Sequence, residues 1–217
     1  MIVRVIERVV GAKSVSKAFV ATDDRRIAKA VEAAGFSVVM TRASHVSGTD
    51  RVAEAASLLA EQDRFDLVLN VQGDEPLVDP NDLDHLVYET WVSERPMGTL
   101  ARSLSAEDRE NPNVVKVARA QSGQALYFSR AMIPHGPPVP PHPLQHVGIY
   151  IYRPRTLLEL AALEASPLEQ CERLEQLRAL EAGVPIHVAL AKSQRPTIAI
   201  DTPEDVARVL ERLRDER

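Results

Sequence analysis

The chain has 217 residues, 45% hydrophobic and 26% charged, a globular balance long enough to bury a core without disulfide or metal staples. Its 26 Lys and Arg against 31 Asp and Glu leave a net charge of −5, which excludes a general binder of nucleic-acid backbones but not a local basic pocket. The single cysteine, Cys171, excludes an intramolecular disulfide and a multi-cysteine zinc site, and no apolar run approaches the roughly 18–20 residues of a membrane span. Arg4, Glu7 and Arg8 interrupt the apolar N-terminus where a signal peptide needs continuity, so the reading is a cytoplasmic protein with no membrane or nucleic-acid partner.

Ile2, Val5, Ile6 and Val9 recur at helical spacing. Lys17–Ala21 is a short buried strand leading to a helix cap at Thr22-Asp23-Asp24, and Arg25–Ala34 is a helix with Gly35 as its stop. Ser37–Met40 is a strand, Asp50–Glu61 an alanine-rich helix, and Asp66–Val71 a buried strand. Pro80–Val92 is a helix capped by Asn81 or Asp82. This alternation predicts an α/β domain over 1–217, with a mostly parallel sheet flanked by helices. The second half is more mixed. Asn113–Ala118 and Ala125–Phe128 read as a hairpin. Residues 133–143 hold six of the 15 prolines and form a surface loop. Val147–Tyr152, Ile186–Leu190 and Thr197–Ile200 are strands. Pro154–Glu164, Leu168–Ala182 and Thr202–Arg214 are helices.

Five segments hold candidate chemistry. Asn70-Val-Gln-Gly-Asp-Glu-Pro76 follows a strand at its carboxyl end, where α/β sheets bind ligands. Asp74 and Glu75 there suit a hard cation such as Mg²⁺, although a polar turn explains the string equally well. Asp201 ends a strand and begins a helix, so it is either an N-cap or a second carboxylate for the same ion. Ser47-Gly48-Thr49 presents amides and hydroxyls at a helix N-terminus, or simply caps it. His146 and Tyr150 lie on one pleat face of a strand. Glu175 and Arg178 sit three apart on a helix, ordinarily an exposed pair. No Walker loop, GxGxxG, GxSxG, HExxH or CxxC occurs.

Taken in order, the strings VATDD, MTRASHVSGTDRVAE, LNVQGDEPLV, NPNVVKV, ALYFSRAMIP, HVGIYIYR, SPLEQCERLEQLR and IDTPED resemble the 3-deoxy-D-manno-octulosonate (Kdo) cytidylyltransferases from residue 1 to about 210. The resemblance implies a Rossmann-like nucleotidyltransferase with a smaller β-rich insertion for sugar binding and dimerisation. It implies transfer of CMP from CTP to Kdo with release of pyrophosphate, supplying lipopolysaccharide synthesis, in a Mg²⁺-dependent homodimer. By resemblance, Asp74 and Asp201 are the catalytic metal ligands. Ser47, Gly48, Thr49 and Gln72 face the nucleotide, and His146, Tyr150, Glu175, Gln176 and Arg130 line the Kdo pocket. Lys116 lies in a matching string without an assigned role. A cytidylyltransferase for another sugar acid, or a non-catalytic relative, are the alternatives.

By the same resemblance, the family opens with a strand and an Arg-, Gly- and Lys-rich loop that grips the CTP phosphates, and Met1-Ile-Val aligns just after that loop. The expectation is a start assigned too late, with a longer protein turning over CTP far faster. The alternative is a chain of this length that is catalytically poor.

Overall fold

This computed structural model of the protein describes residues 1–45, 47–61, 64–193, 200 and 203–215. The chain gathers around two centres. One comprises residues 1–58, 71–84 and 192–217, the other 59–70 and 85–191. Each is assembled from non-adjacent segments, so no cut in the sequence separates them, and the one-domain reading had no boundary to find.

In the first unit, helix α1 (Ile2–Val9) turns Val5 and Ile6 inward. Strand β1 (Phe19–Thr22) runs parallel to β2 (Ser37–Met40), joined through helix α2 (Arg25–Ala33). Ile6, Val20 and Val31 form the core here, covered by Ile2, Val3, Ala18, Phe36 and Val38. Asp24 caps α2 by accepting from the Arg26 amide at 2.7 Å. Gly35, at φ +83°, supplies the left-handed residue past the helix end. Helix α3 (Gly48–Ala60) starts two residues before the expected Asp50, because Ser47 Oγ accepts from the Asp50 amide at 3.0 Å.

Strand β3 (Val68–Val71) is shorter than expected and mostly half-buried rather than the fully buried strand its apolar run suggested. Helix α4 (Pro80–Val92) has the expected bounds but a different cap. Asp79, not Asn81 or Asp82, accepts from the Asn81 amide at 2.9 Å. Asp82 is buried instead and accepts from the amides of Lys192 and Ser193 at 2.7 and 3.0 Å. Asp84 likewise takes the Ser14 amide and hydroxyl at 2.8 and 2.6 Å, tying the chain after α1 to this helix.

The second unit is built on strands β4 (Met97–Ser103), β5 (Lys116–Arg119), β6 (Ala125–Ser129), β7 (Leu144–Tyr152) and β8 (Ile186–Leu190), in the order β6-β5-β7-β4-β8, with β3 also pairing β7. The sheet is mixed, as the expected fold class has it, with fewer parallel pairs than expected. β4–β8 is parallel, whereas β4–β7, β5–β6 and β5–β7 are antiparallel. The long β7 causes this, since it returns from the proline-rich loop between two strands that point the other way. The hairpin β5–β6 was anticipated; β4 was not. Residues 97–101 are buried throughout, so no alternation marks them, and Gly98 and Thr99 dilute the apolar run.

Helix α5 (Pro154–Ala161) follows β7. The single helix expected over Leu168–Ala182 is two, α6 (Pro167–Glu172) and α7 (Gln176–Glu181). They break at Arg173, which adopts a left-handed conformation at φ 55° and ψ 50° without the usual glycine. The elbow lets Leu174, Gln176 and Leu177 all turn inward. Helix α8 (Pro203–Asp215) closes the chain. Of the strand expected at Thr197–Ile200, only Ile200 lies within the described residues. Among them, no helix is long and apolar enough to cross a membrane.

Gly98 is a point of close approach. A Cβ there would sit 2.1 Å from Thr90 Oγ1 and 3.0 Å from Ile151 Cγ2. Gly98→Ala is therefore expected to cost about 1–3 kcal/mol, read as a fall in the urea midpoint at unchanged slope. Adding Thr90→Ala should recover much of the loss. Equal midpoints for Gly98→Ala and wild type would show that the contact yields freely.

Candidate active site

The candidate residues fall into two sets, one in each unit. In the first unit, β3 ends at Val71 and delivers Gln72, Gly73 and Asp74 to the start of a turn. Gln72 lies over Gly48: a Cβ at residue 48 would approach its Nε2 to 3.1 Å and its Oε1 to 3.4 Å. The structure thus brings together two of the expected nucleotide-facing positions, and the glycine is what lets the carboxamide lie against the opening of α3. Ser47 acts as the cap of that helix, as its simpler reading held, while Gly48 and Thr49 form its first turn.

The loop before α3 is held by Glu54. Its carboxylate accepts from the Arg42 amide and Nε at 3.0 and 3.1 Å and pairs with His45 Nε2. His45, then Arg42, keep the Glu54 carboxyl below its ordinary range. His45 is therefore a loop-fixing residue. Arg51 adds a second tie, donating to Thr41 Oγ1 at 2.8 Å and pairing with Asp23 at 3.0 Å.

Asp74 is half-buried, and its backbone carbonyl accepts from the Ile200 amide at 3.0 Å. Asp201 lies outside the described residues, but it is covalently next to Ile200, so this bond brings its neighbour in sequence against Asp74. Among the described residues, no group of three or more His, Cys, Asp or Glu is placed to hold a metal ion.

In the second unit, β7 carries His146 and Tyr150. The β4–β7 register shifts between Thr99, opposite Tyr150, and Leu100, opposite Val147, so β7 gains two residues. The bulge leaves the His146 and Tyr150 ring centroids 5.4 Å apart. Thr99 organises the bulge. Its hydroxyl donates to the Ile149 carbonyl at 2.7 Å and lies 2.9 Å from His146 Nε2. A hydroxyl has one proton; once it is given to Ile149, the oxygen can only accept, so Nε2 carries the imidazole proton and Nδ1 is left as an acceptor. Burial pushes the His146 pKa down to about 3, and Phe128 meets its ring edge-on at 5.0 Å. His146 is a neutral residue here.

Tyr150 Oη donates to Gln176 Oε1 at 3.1 Å. Burial, then the neighbouring Tyr152 and Glu175, push the phenol well above its ordinary pKa, so it keeps its proton. His146, Tyr150 and Gln176 are thus brought together as expected, with Glu175 exposed beside them. Arg178, expected beside Glu175, reaches Glu169 across the elbow with Nε at 2.7 Å and Nη2 at 2.6 Å, and both of these side chains are nearly buried. Glu169 and Arg178 belong to different helices, so this pair depends on the break at Arg173.

Arg130 fixes the backbone around it. Its guanidinium donates to the carbonyls of Glu172, Pro112 and Arg173 at 2.8, 3.0 and 3.3 Å, and its amide to the Glu172 carboxylate. Lys116 gains a role that sequence did not assign. It is fully buried, with Nζ donating to the carbonyls of Asn111 and Arg130 at 2.6 and 3.2 Å, and burial lowers its pKa. Thr99 and the Glu169–Arg178 pair were also missed. The threonine carries no sequence signal, while the Ser166-Pro-Leu-Glu169 capping box does mark the start of α6.

The profile of the cytidylyltransferase family matches residues 1–189. A 3-deoxy-manno-octulosonate cytidylyltransferase of Myxococcus xanthus is 47% identical over 211 residues, covering 96% of this chain and 84% of the relative. An 8-amino-3,8-dideoxy-manno-octulosonate cytidylyltransferase of Shewanella pealeana is 46% identical over 210 residues, covering 95% and 84%. Among solved structures, a CMP:2-keto-3-deoxy-manno-octonic acid synthetase complexed with CTP superposes with a TM-score of 0.89 at 36% identity, covering 100% of this chain and 88% of that one. With the profile spanning most of the sequence and relatives near half identity along almost all of it, the chain belongs to the cytidylyltransferase family.

Proposed function

We propose that this enzyme transfers CMP from CTP to 3-deoxy-manno-octulosonate and releases pyrophosphate. The near-half identity to the Myxococcus relative over 96% of the chain carries this reading. The neutral, hydroxyl-reading cluster of Tyr150, His146 and Gln176 supports it. In the reaction, the anomeric oxygen of the sugar acid forms a bond to the α-phosphorus, the bond from that phosphorus to the bridging oxygen of the β-phosphate breaks, and the anomeric proton is lost.

Ser47, Gly48, Thr49 and Gln72 are assigned to the nucleotide. The N-terminal turn of α3 offers backbone amides and partial positive charge to oxygen acceptors, and Gln72 is set against it. Asp74 and Asp201 are assigned to Mg²⁺, a role that fits hard carboxylate oxygens and the hydrogen bond linking Asp74 to Ile200. When bound, the ion offsets the charge that builds on the phosphate oxygens. On the sugar side, His146 Nδ1 accepts from a hydroxyl, and Gln176 donates to one. The cytoplasmic setting, the homodimer and the supply of lipopolysaccharide synthesis follow from the same kinship.

Pyrophosphate release from CTP, Kdo and Mg²⁺ tests this reading, with the CMP-sialic acid precursor as control sugar. Release with Kdo alone is expected; release with neither sugar sinks the reading. Asp74→Asn should lower kcat by about a hundredfold or more, and a variant that keeps its full rate removes Asp74 from the metal. His146 gives a pH prediction. Its folded pKa lies below its unfolded value, so the unfolded chain takes up the proton first, and this residue withdraws stability as pH falls from about 6.5 towards about 3. Between about pH 5 and 8 its ring should not titrate in the folded protein. A His146 ring resonance moving through that range would contradict the buried, neutral assignment.

A further inference from the structure

Gln176 is 4% exposed, and its Nε2 has no hydrogen-bond partner among the described residues, although its Oε1 takes the Tyr150 hydroxyl. A buried amide N–H left unpaired costs stability, so its persistence at a cluster of neutral polar groups points to a ligand that supplies the missing acceptor. Tyr150 decides which end of the carboxamide is spent. Its proton occupies the oxygen end, so the nitrogen end faces what enters. The nearby rings add no negative charge: His146 is neutral, and the phenol keeps its proton. Glu175 adds negative charge beside the phenol, but it is exposed and shares that charge with solvent.

These groups sort sugar acids by polarity. A hydroxyl both accepts from Nε2–H and donates to His146 Nδ1. An ammonium group only donates; it would leave Nε2–H unpaired and give up its own hydration. Resting on the CMP-transfer reading above, we infer that Gln176, its carboxamide oriented by Tyr150, is a specificity-determining residue that selects a sugar acid bearing a neutral hydroxyl over one bearing an ammonium. Identity alone does not make this choice, since relatives named for the hydroxyl and for the 8-amino sugar stand at 47% and 46%.

The test is pyrophosphate release with CTP and Mg²⁺, using Kdo and 8-amino-3,8-dideoxy-manno-octulosonate as competing sugars. A calorimetric titration of each sugar gives the same ratio without turnover. The full chain should prefer Kdo by about ten- to a hundredfold in kcat/KM, the range set by one unpaired buried donor. Gln176→Glu should narrow or invert that ratio by offering a carboxylate to the ammonium. Tyr150→Phe should also narrow it by freeing the carboxamide to turn. Should Gln176→Glu not fold, Gln176→Leu removes the donor at similar volume and should bring the ratio near unity. Equal use of both sugars by the wild type, a preference for the amino sugar, or a ratio untouched by Tyr150→Phe overturns the inference while leaving CMP transfer standing. Neither release nor heat with either sugar overturns the transfer reading instead.

Discussion

The cluster around His146 in the second unit depends on one hydroxyl. Strand β7 gains two residues relative to β4, and the ladder cannot pair the carbonyls of both Val147 and Ile149 across that bulge. Thr99 Oγ1 fills the gap, 2.7 Å from Ile149 O and 3.4 Å from Val147 O, inside the buried stretch 97–101 of the strand. The geometry that satisfies the bulge also spends the hydroxyl proton. That makes the oxygen an acceptor for His146 Nε2, which settles the imidazole tautomer and leaves Nδ1 to a ligand. A backbone defect, a buried threonine and the hydrogen-bonding sense of a pocket residue are one arrangement. A valine of similar shape at position 99 would fill the space but orphan a carbonyl and free the ring to choose either tautomer.

The second support is the elbow between α6 and α7. Gln176 is the first residue of α7, so the direction of that short helix sets where its carboxamide lies. The bidentate Glu169–Arg178 pair spans the elbow, with the Ser166 amide on the same carboxylate at 3.1 Å. Burial by itself would raise the Glu169 pKa. The Arg178 hydrogen bonds and the Ser166 amide outweigh it, and the carboxyl stays below its usual range. Such a pair is a modest source of net stability once desolvation is counted, but breaking one side strands a charge. Its use here is geometric: it holds α7 at the angle that lets Tyr150 reach Gln176. Arg130 and Lys116 act similarly beside it, spending cationic donors on the backbone carbonyls of loops and the elbow rather than on a ligand.

Much of this was legible in the chain. The first unit follows local rules. Ile2, Val5, Ile6 and Val9 mark α1, Asp24 and Gly35 bracket α2, and Ser37–Met40 is a strand with the expected ends. The grouping of Gln72 with Gly48, and of His146 with Tyr150 and Gln176, was also expected, by family resemblance rather than by spacing. What escaped is non-local. Strand β4 has no alternation because both its faces are buried, and its glycine is chosen by Thr90 on α4, seven residues or more away along any pattern one could scan. The break at Arg173 carries neither glycine nor proline, so helical periodicity runs through it. The Glu169–Arg178 pair escaped because its partners lie nine residues apart on two helices, a spacing that no single-helix pattern marks. A sequence shows the charge of Arg130 but not the carbonyls that converge on it.

The two sets of site residues differ in electrostatic character, and the difference matches the chemistry asked of them. Asp74 in the first unit keeps a half-exposed carboxylate at a strand end, suited to a cation whose charge balances phosphates. The second unit has burial holding His146 neutral and Tyr150 protonated. Neutral donors and acceptors in fixed directions discriminate among hydroxyl patterns better than charges do. A charge attracts any dipole, whereas an N–H with one open direction rejects every group that cannot accept. The hydrogen-bond sense of this cluster traces back through Tyr150 and Thr99 to the register shift in β7.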